Sequence, residues 1–180
     1  LMQDNPMPAI HGRVCYHPCE SACNRGHIDE AVSIHAVERF LGDQAIAQGW
    51  RVACAPRTGK NVLVIGAGPG GLSTAYHLAR MGHQVTIHEA GPQAGGMMRY
   101  GIPKYRLPRE IVDAEVARIQ SMGVTIRLNS RVDDLEATMA EGRFDAAFLA
   151  LGAHLARRVE IPGVDAKRVR ERLRHGELRE

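Results

Sequence analysis

The chain has 180 residues, 44% of them hydrophobic, and 23 Lys/Arg against 20 Asp/Glu. This composition excludes a disordered or collagen-like chain. The net charge of +3 comes from residues 166–180, which hold six Lys/Arg and three Asp/Glu, so the pI near 8.8 is a local effect and not the basic face that nucleic-acid binding requires. One Trp, four Tyr and three Phe make no base-stacking surface. No apolar run approaches the roughly 20 residues needed to span a bilayer, and the start has no signal-peptide pattern. The expectation is a soluble cytoplasmic polypeptide with no nucleic-acid or membrane partner. A start at Leu1 and a charged run soon after an apolar segment suggest a piece of a longer protein.

Residues 1–28 are dense in Pro, Gly, His and Cys and read mostly as loop. From Val32 to Gln48 the spacing of Ile34, Val37 and Leu41 predicts a helix with those residues on its buried side. Residues 54–59 form a linker with Pro56 and Gly59, and Cys54 in it reads as inert. Asn61–Ile65 is an apolar run typical of a buried parallel strand. A glycine-rich turn follows, then a helix from Leu72 to Met81 closed by Gly82. Gln84–Glu89 is a second strand, and residues 90–104 a long Gly/Pro loop. Pro108 opens a further helix with Ile111, Val112, Val116 and Ile119 as its buried stripe. Val124–Leu128 is a third strand, Asp133–Ala140 a short helix and Phe144–Leu151 a fourth strand. This alternation predicts a parallel α/β sheet of the Rossmann type. Lys167–Arg174 reads as a solvated helical end.

The turn is Gly66-Ala67-Gly68-Pro69-Gly70-Gly71, a GxGxxG pattern between strand and helix. Gly66 suits the tight turn, Gly68 admits a pyrophosphate and Gly71 lets the helix pack on the strand. The helix N-terminus presents its amides and positive dipole to phosphate. Glu89 ends the second strand about 20 residues on, where a carboxylate accepts hydrogen bonds from ribose hydroxyls and disfavours a 2′-phosphate. A ligand-free turn and a surface charge at Glu89 are the plain alternatives. The long loop carrying Gly95, Gly96 and Met97 suits an extended FAD, since an NAD domain normally passes straight into another helix; the alternative is an ordinary surface loop.

Cys15-x3-Cys19-x3-Cys23 has two metal readings. Soft thiolates at short spacing suit iron–sulfur clusters or zinc; zinc would draw on His17 or His27 for a four-coordinate site. Unligated structural cysteines are the third possibility, and disulfides do not suit a reducing compartment. No acid–base triad is visible: Ser73 lacks a nucleophile-elbow setting, and His77, His83 and His88 read as surface residues.

Taken together, Gly66–Leu72, Glu89 with Gly95-Gly96, Tyr100-Gly-Ile-Pro103, Arg106-Leu-Pro108 and Phe148–Ala153 resemble the glutamate synthase small (β) subunit family, which includes the matching portion of dihydropyrimidine dehydrogenase. Asn5–Pro8, Gly12–Cys15, Cys19–Cys23 and Ile34–Arg39 are similar to the same family's N-terminal segment. The resemblance implies a small, mainly helical iron–sulfur domain of the α-helical ferredoxin type over 1–53, a linker over 54–59, the first part of an FAD domain over 60–165 and a charged tail over 166–180. It implies that the glycine loop and Glu89 hold the ADP half of FAD, that Gly95, Gly96, Met97 and Arg106 reach the rest, and that Val132 contacts the adenine side. It also implies that Cys15, Cys19 and Cys23 are [4Fe–4S] ligands divided between two clusters, with Glu38 as an oxygen ligand. Helical spacing puts Glu38 about 40° from Ile34, on the buried side, with Arg39 pointing away; an edge carboxylate paired to a base is its alternative.

Well-known members space the first two cysteines more widely. The family also carries further cysteines upstream and a second glycine fingerprint, for NADPH, downstream; neither lies in this sequence. The implied function is transfer of electrons from NADPH through FAD and [4Fe–4S] clusters to a large subunit or another acceptor protein. Two rivals stand beside it: a non-catalytic, zinc- or cluster-stabilised assembly module with a vestigial dinucleotide fold, and a simple NAD-dependent dehydrogenase.

Overall fold

A computed structural model describes residues 1–153, so the expected tail helix at 167–174 lies outside the described residues. The N-terminal segment contains α1 (Pro8–Val14), the short α2 (Pro18–Ser21), a 3-10 turn (Asn24–His27) and α3 (Ile34–Ala47). The α/β unit follows as β1 (Asn61–Ile65), α4 (Pro69–Arg80), β2 (Gln84–His88), α5 (Met97–Tyr100), α6 (Arg109–Gln120), β3 (Thr125–Arg127), α7 (Leu135–Gly142) and β4 (Ala146–Leu149). The four strands are parallel in the order β3-β2-β1-β4. β1 is buried from Val62 to Ile65, as its apolar run predicts, and β2 is buried from Val85 to His88 although Thr86 and His88 are polar.

Several boundaries follow local chemistry. Gly82, at φ +86, ends α4, and Pro108 stands just before α6 as its N-cap, not inside its first turn. The Asp134 carboxylate caps α7 by accepting from the Ala137 amide at 2.9 Å, satisfying one of the donors that a helix start leaves open.

Two expectations are corrected. Residues 1–28 are not mostly loop, because α1 and the shorter turns occupy much of them. α1 has only seven residues, too short to persist on its own, and it forms because Met7, Ala9 and Ile10 are buried. The stripe expected on α3 is also wrong: Ile34 and Val37 are 41% and 51% exposed, and the residues it buries are Gly42 and Ala45. The cause is a backbone-to-backbone crossing. A Cβ on Gly42 would run into the Ala9 amide, and one on Gly12 would run into the Arg39 amide. Small residues therefore make this seam, and apolar bulk does not mark it.

Met7 and Ile10 belong to the same buried cluster as Leu72, Tyr76, Val112 and Ile119. Tyr76 Oη donates to the Met2 carbonyl and Arg80 to that of Gln3. The linker runs along the end of α4, where the Ala55 amide donates to Arg80 O at 2.8 Å and the Thr58 amide to Gly82 O at 3.0 Å.

Candidate dinucleotide and cluster sites

The glycine turn sits where β1 feeds α4. Gly66 has φ +105, and its amide donates to His88 O at 2.8 Å. A Cβ on Gly71 would collide with the Gly66 carbonyl oxygen, so only glycine lets α4 start this close to the strand. Gly68 is the N-cap, with no side-chain cap, and Pro69 occupies the first helical position. Helix geometry leaves the Gly70 and Gly71 amides without intrahelical acceptors, and the positive end of α4 lies at the same place.

Glu89 lies just past β2. Its Oε2 accepts from the Ala67 amide at 2.7 Å and its Oε1 from the Gly91 amide at 2.8 Å. The carboxylate thus braces the glycine turn. Each oxygen keeps a second lone pair, so ribose hydroxyls fit the same group. Val132 is half-buried in the segment after β3; that segment is tied back by Asn129 N to Gly91 O at 2.9 Å and Ser130 N to Glu89 O at 2.8 Å.

The long loop returns to the turn. The Gly95 amide donates to Ala67 O at 2.8 Å. Gly96, at φ +50, packs so closely that a Cβ there would lie 2.7 Å from Gly68 Cα, whereas a Cβ on Gly68 would meet nothing nearer than 3.9 Å. The backbone at Gly68 is therefore open at its Cβ position, with Gly96 in ordinary contact distance, and forms a cradle. That cradle fits a diphosphate and would be filled by a larger side chain. Met97 begins α5, a helix absent from the sequence reading, and is 58% exposed.

Two arginines that sequence reasoning did not place pin the loop. Arg109 donates to the carbonyls of Met98 and Leu107 at 3.2 Å and of Ile102 at 2.8 Å. Buried Arg99 donates to Ala94 O at 2.7 Å and pairs with Asp113. Arg106 faces the N-terminal segment: its guanidinium lies 5.4 Å from the Tyr16 ring centre and donates to Val14 O at 3.3 Å.

Cys15 closes α1, Cys19 lies in α2, and Cys23 precedes the 3-10 turn. Cys15, Cys19 and Cys54 are exposed, and Cys23 is half-buried. Hydrogen bonds from the backbone at Val32, then at Arg25 and Gly26, hold the Cys23 thiol below its ordinary pKa. This favours the thiolate that metals bind. Among the described residues, the three sulfurs and Glu38 do not gather their ligand atoms within 4.8 Å of one another. One tetrahedral ion would need that convergence, whereas the ligands of a four-iron cluster sit on separate irons. Three soft thiolates in one short segment fit the iron of such clusters by donor type.

Glu38 is half-buried on α3 and accepts from Asn5 Nδ2 at 3.1 Å; Asn5 Oδ1 in turn lies 2.6 Å from His11 Nδ1. Of the histidines read as surface residues, His88 is buried at 8% exposure. His83 is half-buried against Thr58 Oγ1 at 2.7 Å, and His77 is half-buried.

A parallel sheet with a glycine turn, a bracing acid and a returning loop defines a dinucleotide-binding α/β unit. The chain belongs to the pyridine nucleotide-disulphide oxidoreductase family, which it matches over residues 60–178. Residues 1–50 match dihydropyrimidine dehydrogenase domain II, 4Fe-4S cluster. The chain is 41% identical to the NADP(+)-dependent formate dehydrogenase subunit beta of Moorella thermoacetica, covering 92% of this chain and 27% of that protein. It is 40% identical to a Geobacter sulfurreducens NADPH-Fe(3+) oxidoreductase subunit beta, covering 92% and 25%. Its identity to the Bacillus subtilis glutamate synthase [NADPH] small chain is 38%, covering 94% and 35%. The chain thus spans about a quarter to a third of the length of these relatives. FprA, an oxidoreductase of Mycobacterium tuberculosis, shares the fold with a TM-score of 0.50 at 21% identity, over 62% of this chain and 26% of that one. Among the described residues no helix is long and apolar enough to cross a membrane.

Proposed function

We propose that this chain is the FAD-binding and cluster-binding part of an NADPH-dependent flavoprotein oxidoreductase of the glutamate synthase small-chain type. When bound, flavin converts the two electrons of a hydride into single electrons, and [4Fe–4S] clusters carry these onward to an acceptor. The observation that carries this reading is the return of the loop after β2, with Gly95 bonded to Ala67 and Gly96 against Gly68. A domain for NAD alone has no need of that return.

In this reading Gly66, Ala67, Gly68, Pro69, Gly70 and Gly71 cradle the pyrophosphate at the positive end of α4. Glu89 holds the turn rigid and accepts from the ribose, and Val132 lines the adenine side. Gly95, Gly96 and Met97 follow the cofactor toward its ring. The contact of Arg106 with Val14 and Tyr16 supports a role between the FAD loop and the cysteine segment. Cys15, Cys19 and Cys23 supply thiolates to two clusters, and Glu38 an oxygen. The division is a cluster segment over 1–53, a linker over 54–59 and FAD-binding residues over 60–165, followed by a tail. The NADPH site and the remaining cluster ligands lie in other parts of the protein. That two of these relatives are named as beta subunits and another as a small chain supports a larger subunit or other electron-acceptor protein as the partner, and this reading sets the protein in the cytoplasm.

The test is anaerobic purification of the protein that carries this chain, with extraction of its flavin, iron and sulfide analysis, and NADPH oxidation with an artificial acceptor. FAD together with iron is expected. A colourless protein lacking both overturns the reading.

A further inference from the structure

Close to the cysteines, three other side chains converge. His17 Nδ1 lies 3.2 Å from Glu20 Oε2, and His35 Nδ1 lies 2.6 Å from Glu20 Oε1. The His35 amide also donates to Glu20 Oε1 at 3.0 Å. The two imidazoles stack with ring centres 4.3 Å apart. All three ligand atoms lie within 4.8 Å of one another, all three residues are half-buried, and no cysteine sulfur joins the group among the described residues. We infer that His17, Glu20 and His35 form a binding site for one divalent first-row transition-metal ion, separate from the cysteine ligands.

The chemistry fits that class of ion. Two imidazoles and one carboxylate are nitrogen and oxygen donors of the kind that hold zinc with a coordination position left open, and imidazole favours such metals over magnesium or calcium. The elements deliver the ligands from two sides. His17 and Glu20 flank and enter α2, while His35 comes from the first turn of α3. His17 has φ 42, the left-handed region, which L residues adopt sparingly and which turns its ring back toward Glu20 and His35. Without a metal, both Nδ1 atoms meet carboxylate oxygens, which only accept. To ligate through Nδ1, each imidazole gives its Nδ1 proton up to solvent and takes the tautomer that carries its proton on Nε2, so that metal bonds replace these hydrogen bonds.

The test uses the cluster-loaded protein, prepared anaerobically and cleared of loose metal with a mild chelator. Zinc is then titrated, zinc and iron are counted separately, and the zinc K-edge fine structure is recorded. One zinc per chain is expected, with nitrogen/oxygen neighbours at about 2.0–2.1 Å and no sulfur shell at about 2.3 Å. His35→Ala and Glu20→Gln should each weaken zinc at least ten-fold with iron unchanged, and excess magnesium should not compete. Absence of bound zinc, a sulfur shell in the unmutated protein, or undiminished zinc affinity in both variants overturns the inference. The fine structure of the unmutated protein decides the ligands even if a variant folds poorly.

Discussion

Glu115, in the middle of α6, accepts a hydrogen bond from the backbone amide of Ala9, 106 positions earlier in the chain, at 2.9 Å. Its side chain has no exposed surface. Arg118 Nε donates to its other oxygen at 2.9 Å, and the same guanidinium donates to the Pro6 carbonyl. Burial pushes the Glu115 pKa up, and Arg118 opposes that. One buried ion pair thus bolts the start of the cysteine segment to the α/β unit.

Removing one partner of such a pair strands the other charge. Glu115→Ala should therefore cost about 3–5 kcal/mol of stability in denaturant unfolding, and replacing both Glu115 and Arg118 by leucine should cost less. A single variant as stable as the parent would show that the tie contributes nothing.

The glycine cradle separates ligand space from fold. A Cβ at position 68 comes no nearer than 3.9 Å to Gly96 Cα, whereas one at position 96 meets Gly68 Cα at 2.7 Å. Gly68→Val should lower flavin content at least ten-fold while leaving the melting temperature of the flavin-free protein nearly unchanged. Gly96→Val should lower both, because φ is +50 there and a β-branched residue resists it. Full flavin occupancy in Gly68→Val would rule out the cradle.

Iron content should follow the cysteines by position. Cys19→Ser should reduce iron per chain, because a hydroxyl is a poor substitute for a soft thiolate. Cys54→Ser, in the exposed linker, should leave iron unchanged. Equal losses from both variants would remove Cys19 from the ligand set.

Buried His88 carries a pH signature. Desolvation, and then the positive charge of Arg127, holds its pKa below the ordinary 6.5, and its Nδ1 lies 3.1 Å from Ser130 Oγ. As pH falls through 6.5 the unfolded chain takes up a proton that the folded chain refuses. Stability is then fully present above 6.5 and is lost as pH drops toward the lowered folded value. Thermal unfolding over pH 5–8 should show a shallower acid-side decline in His88→Leu than in the parent protein. Parallel profiles would show that His88 does not contribute.

The glycine turn was legible because its requirements are local: a strand, a bare turn and a helix start adjoin in sequence, and each residue type answers a short-range constraint. The strands and α6 were legible for the same reason, since their apolar periods span only a few residues. The role of Glu89 was half legible. A strand-end acid signals ribose, but that its carboxylate reaches the Ala67 and Gly91 amides depends on how the turn folds back over β2.

The order of residues along the chain determined the parallel α/β unit, its glycine turn and a thiol-rich segment ahead of it, through local periodicity and turn chemistry. Only the packed molecule decided which face of α3 is buried, where the long loop docks, that Glu115 is a core residue, and that His17, Glu20 and His35 meet. A helix's period reports its inner face when bulky apolar side chains fill the seam. Where glycines let backbones touch, as at Gly12 and Gly42, or where a buried charge meets a distant amide, the partner lies far away in sequence and the period carries no sign of it.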